Sequence, residues 1–159
     1  MIKKYFVVFA LALALVSCQC EDTEENMERY CFFGGDVRFS VGDDACEVTK
    51  RLGQPNKTSR TSSCAGAGED IVYVYNGFRV LAYSENGGER IVSIEITSDA
   101  VSTPEGIRLG DGIDRIMKMY GVPSERKENI VEYESRGVRL RFVLSDGSVR
   151  SIKYLLSDE

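Results

Sequence analysis

Histidine is absent from all 159 residues. That removes the usual imidazole base and with it the commonest serine and cysteine triads. No Cys-x-x-Cys occurs either, so tetrahedral zinc and redox-motif chemistry lack their sequence signature. Asp111-Gly-Ile-Asp114 has a calcium-like start, but no complete EF-type loop with its terminal glutamate follows. The glycine-rich stretches Gly34-Gly35 and Gly66-Ala67-Gly68 lack the lysine and the strand–helix setting of a phosphate cradle. The sequence therefore implies no metal and no cofactor. Nor does any apolar run reach the roughly 20 residues a membrane-spanning helix needs.

The longest apolar run, Tyr5 to Val16, follows Lys3 and Lys4 and ends in Leu15-Val16-Ser17-Cys18. Two lysines and a short hydrophobic run make a secretory signal. The four residues at its end resemble the lipobox of bacterial lipoproteins, in which the thiol takes a diacylglyceryl group and small residues precede the cleaved bond. This reading implies a signal at residues 1–17, cleavage before Cys18 and lipidation of Cys18. The mature chain would sit on the extracytoplasmic side of a cell membrane or outer membrane. At about 0.8 kcal/mol per buried methylene, two or three acyl chains make a durable anchor. Removing Lys3 and Lys4 leaves 18 basic side chains against 25 acidic ones, a net charge near −7. That balance argues against nucleic acid as a partner and against docking on anionic headgroups. Residues 18–29 read as an acidic, solvated tether, with Met27 its one aliphatic side chain.

From Phe39 the chain repeats itself. "FSVGDDACEVTKRLGQP" aligns with "IRLGDGIDRIMKMYGVP", setting Gly42 on Gly110, Gly53 on Gly121 and Pro55 on Pro123. In each copy Gly-Asp opens a short helix, with Asp43 and Asp111 suited to its N-terminus. Ala45, Val48 and Leu52 match Ile113, Ile116 and Tyr120 at helical spacing. Glycine and proline then stop the helix. Alternating apolar residues follow, with Asn86-Gly87 and Asp146-Gly147 as hairpin turns. The stretch "TSRTSSCAGAG" is an insertion in the first copy and reads as a loop. The expected fold is α+β, with two tandem repeats of a helix and a three-stranded antiparallel meander, packed together or sharing a sheet. Residues 30–103 hold the first repeat and 104–159 the second.

The pattern Gly-x5-Val/Ile-x3-Leu/Tyr-Gly-x-Pro plus a meander resembles the β-lactamase-inhibitory-protein-like group, which includes small outer-membrane-assembly lipoproteins. The resemblance spans roughly Phe39 to Leu156 and implies a non-enzymatic protein-binding module. It transfers no functional residue.

Four cysteines besides Cys18 remain: Cys20, Cys31, Cys46 and Cys64. An exported chain can pair them in three ways. Cys46 lies on the helix flank away from its apolar stripe, and Cys64 lies in the inserted loop, so a Cys46–Cys64 bridge would pin that loop. Cys20 and Cys31 would then pair near the tether.

Two functions follow from the residues: an envelope-protein interaction module, or a hydrolase or carbohydrate-active protein working with carboxylates alone. Asp43-Asp44 and Asp111/Asp114 read as helix caps, and Glu132/Glu134 as an exposed strand face. Aligned strands set Tyr73 on Tyr133 and Val80 on Leu140 as core. On the opposite face Val72, Val74 and Leu81 stand where the second copy has Glu132, Glu134 and Arg141. With Tyr83 alongside, they form an apolar patch that something should cover. The candidate covers are the Tyr30–Phe33 segment, the other repeat, or a partner protein.

Overall fold

The computed structural model describes residues 29–64 and 67–157. The expected signal, Cys18, Cys20 and most of the tether lie outside the described residues. The chain runs β1 (Phe32–Gly34), β2 (Val37–Phe39), α1 (Ala45–Leu52), β3 (Lys57–Ser62), β4 (Glu69–Tyr75), β5 (Phe78–Glu85) and β6 (Gly88–Ile96). It continues through α2 (Ile113–Tyr120), β7 (Glu125–Lys127), β8 (Ile130–Ser135), β9 (Val138–Ser145) and β10 (Ser148–Leu156). β1 and β2 form a hairpin. The other eight strands make one antiparallel sheet in the order β3-β4-β5-β6-β10-β9-β8-β7.

This overturns the α+β expectation. The fold is mostly β, and its two helices have only eight residues each. Four strands, not three, follow each helix. The missed strands are polar. All six side chains of β3, Lys-Thr-Ser-Arg-Thr-Ser, are exposed, as are all three of β7. A strand with two wet faces shows no apolar alternation, so its composition reads as loop. Its six-pair ladder to β4, Lys57↔Val74 through Ser62↔Glu69, nonetheless makes it a strand.

Alternation decides which face is buried. Ile71, Tyr73, Val80, Ala82, Ile94, Val131, Tyr133, Leu140, Phe142, Ile152 and Tyr154 are all buried. The helices and the hairpin cover this face. Phe32 stacks against Phe78 and Tyr154, and Tyr120 of α2 packs on Tyr133 and Phe142. At the centre Ile152↔Ile96 and Tyr154↔Ile94 join β10 to β6.

The two Gly-Asp turns do not cap their helices as expected. Asp43 accepts from Ser40 N (2.8 Å) and Asp111 from Arg108 N (2.8 Å), so each carboxylate closes the turn before the helix. The backbone of each turn then docks on the sheet. Gly42 N donates to Ile91 O and Ile91 N to Asp43 O, while Gly110 N donates to Val149 O and Val149 N to Asp111 O. Asp44 is the cap of α1, accepting from Glu47 N, whereas Gly112 begins α2 with no side-chain cap. Asn86-Gly87 and Asp146-Gly147 both hold positive φ at both residues, the type I′ geometry the right-handed twist of a hairpin favours.

Candidate interaction surface

Because the helices and the hairpin share one face, the other face of the sheet is left open. Val72 and Val74 of β4 and Leu81 and Tyr83 of β5 lie on it, out of phase with the buried row, and all four are half-buried. The Tyr30–Phe33 segment does not cover them: Phe32 packs on Phe78 and Tyr30 on Tyr120, both on the helix side.

Strand register orders the open face into rows. One runs Lys57, Val74, Arg79, Glu95, Lys153, Arg141, Glu132, Glu125 from β3 to β7. The next runs Ser59, Val72, Leu81, Ser93, Leu155, Arg139, Glu134. In the first row Glu95 is gripped by Arg79 on one side and by Lys153 Nζ at 3.6 Å on the other. Glu132 is likewise held by Arg141 and by Arg139 Nε at 3.7 Å. The expectation of an exposed Glu132 is corrected: it is only 5 % exposed. The arginine stems lie over it while their heads pair with it. Glu134 is exposed. The second half thus balances a desolvated carboxylate with two guanidinium groups where the first half has valine and leucine.

Ser93 lies between Leu81 and Leu155 with a side chain too short to fill its place. The result is a depression of about 270 Å³ lined by Val72, Arg79, Leu81, Ser93, Glu95 and Lys153. A second cleft, of about 400 Å³, opens beside the hairpin and is lined by Arg29, Cys31, Arg38, Ser40, Asp43 and Arg136 among others. Its one carboxylate, Asp43, is already held by Arg29 (2.5 Å) and Ser40 N.

Acid–base work by carboxylates alone calls for one whose pKa is raised. Glu89 and Glu125 shift the other way, down. Burial pushes Glu89 up, but hydrogen bonds from Tyr73, Arg60 and Cys46 outweigh it. For Glu125 the hydrogen bond with Lys127 is the leading cause. Glu105 accepts from the Tyr120 hydroxyl. Among the described residues no group of three or more His, Cys, Asp or Glu side chains is placed to hold a metal.

Cys46 and Cys64 do not pair as expected, and the Cys20–Cys31 expectation falls on Cys20, outside the described residues. Cys31, Cys46 and Cys64 are free thiols. Cys46 donates to Glu89 at the start of β6, and Cys64 follows β3, with β4 and β5 between. Desolvation, then the Glu89 carboxylate, raises the Cys46 pKa and disfavours its thiolate. Cys31 Sγ accepts from Arg38 Nε at 3.1 Å. Among the described residues no helix is long and apolar enough to cross a membrane.

No family model matches the chain, and neither does any curated protein. Among solved structures it is similar to a cysteine-rich secretory protein from Staphylococcus aureus subsp. aureus Mu50, at 16 % identity and a TM-score of 0.40. The likeness covers 74 % of this chain and 44 % of that one. The matched part is thus less than half of the staphylococcal protein, and at that TM-score the likeness carries no argument.

Proposed function

We propose that the chain is a lipoprotein anchored through Cys18 that binds another envelope protein with the open face of its sheet and does no chemistry. The observation that carries this is the half-buried apolar group Val72, Val74, Leu81 and Tyr83 on a face that neither helix packs against. Water disfavours such a surface, and an apolar core ringed by charged residues is the usual anatomy of a binding patch. The lipobox and the likeness of the Gly-x5-Val/Ile pattern to protein-binding lipoproteins point the same way.

The test is cross-linking in envelope membranes, with wild type beside Val74→Glu, Leu81→Arg and Glu134→Ala. The first two should lose specific cross-links while retaining the wild-type unfolding midpoint, and Glu134→Ala should keep them. Loss in none of the three would sink the reading.

A further inference from the structure

We infer that the depression around Ser93 is a socket for one aromatic side chain, carried on an acidic loop of the partner. This rests on the open-face reading and narrows it. Size comes first. At about 270 Å³ the depression is below the roughly 300–1,000 Å³ of drug-sized ligand clefts, and it suits a single inserted side chain. Val72 and Leu81 give it an apolar side, and Ser93, Arg79, Glu95 and Lys153 complete the lining. Arg79 stands on the rim with half its side chain exposed, where a guanidinium can lie against a ring face. Anchors that fill such central pockets are most often aromatic.

Charge sets the chemistry around the anchor. Arg79 and Lys153 share one carboxylate, Glu95, whose side chain is only 18 % exposed, while their own side chains are 50 % and 37 % exposed. Next along the face Glu132 is held by Arg141 and Arg139. At the socket itself two cations therefore share one occupied carboxylate, in a chain whose overall charge is −5. Further out, on β8 and β7, Glu132, Glu134 and Glu125 turn the face acidic. A loop with carboxylates flanking its aromatic residue matches this arrangement, and a basic loop opposes it.

The test uses the full chain in detergent micelles and four fluorescent cyclised peptides. These have acidic flanks with a central phenylalanine or alanine, and lysine flanks with the same two centres. The acidic phenylalanine peptide should bind about tenfold or more tighter than its alanine twin, and the basic peptides should not bind. Ser93→Leu, which fills the depression without touching a charge, should abolish the advantage of phenylalanine. Lys153→Glu should weaken both acidic peptides, and added salt should do the same. If Ser93→Leu does not fold, Lys153→Glu and the peptide series decide the matter. Equal binding of the phenylalanine and alanine peptides overturns the socket, as does binding indifferent to Ser93→Leu. The membrane cross-links separate the two ideas. If Val74→Glu abolishes them while the peptides do not discriminate, the socket is wrong and the open face stands. If Val74→Glu also changes nothing, both fall.

Discussion

Glu89 gathers the Tyr73 hydroxyl (2.7 Å), Arg60 Nη2 (2.8 Å) and the Cys46 thiol onto one carboxylate that is 10 % exposed. Its folded pKa lies below the ordinary value, so the charged form is favoured in the native state. Its stabilisation is therefore fully present above the unfolded-state pKa, near about 4.3, and is lost as pH falls through the lower folded value. Glu89→Gln should cost about 1–2 kcal/mol at pH 7, and the gap to wild type should close in urea titrations near pH 3. A gap independent of pH would show that the carboxylate's charge is not what matters. Tyr154 gives the opposite expectation. It is fully buried, and its hydroxyl has no hydrogen-bond partner among the described residues. Removing an unsatisfied buried hydroxyl relieves a desolvation cost, so Tyr154→Phe should be neutral or stabilising by urea midpoint. A loss above about 1 kcal/mol would mean that the hydroxyl does have a partner.

The two helices are equal in length but unequally capped. Asp44 satisfies Glu47 N in α1, whereas Gly112 offers α2 no side-chain oxygen. Gly112 has φ −83°, ψ 160°, ordinary for a cap, and a Cβ there would meet only Gly147 O at 3.9 Å. Gly112→Ser should thus add about 0.5–1 kcal/mol by supplying the cap and restricting the unfolded chain. The readout is a higher urea midpoint. Elements of this kind were unevenly legible in the sequence. The helices, their terminating glycines, both Gly-ending hairpin turns and the buried phase of β4, β5, β8 and β9 follow from periodicity and turn chemistry. β3 and β7 do not, because a strand at a sheet edge need bury nothing. The role of Asp43 and Asp111 differs from the expectation because a carboxylate next to the N-cap residue suits either the helix or the preceding turn. The patch Val72, Val74, Leu81 and Tyr83 was legible as a face by alternation. The socket was not, since it depends on Ser93 lying between Leu81 and Leu155, and Leu155 comes from a strand more than fifty residues away.

At the scale of the molecule, the proposed anchor and the proposed binding face are separable. Cys18→Ala should move the protein from the detergent phase to the aqueous phase in phase partitioning and block lipoprotein-specific cleavage. If wild type and mutant both partition into water, the anchor is wrong. The binding face would survive this change, because everything that builds it lies between β3 and β10. The order of the sheet has a consequence for how the chain is made. β10 is the last strand in sequence, yet it sits in the middle, flanked by β6 and β9. Its pairs with β6 span 56 positions at Ile96–Ile152 and 62 at Ser93–Leu155. Such distant pairings are slow to close, since chain entropy is lost before the contacts repay it. Until β10 arrives, a chain growing from its N-terminus holds the outer edge of β6 unpaired, with Ile94 and Ile96 along the gap. A polypeptide released before Ser148 would present β6 and β9 as raw edges, inviting strands from its neighbours. In the finished eight-stranded sheet only β3 and β7 remain as edges.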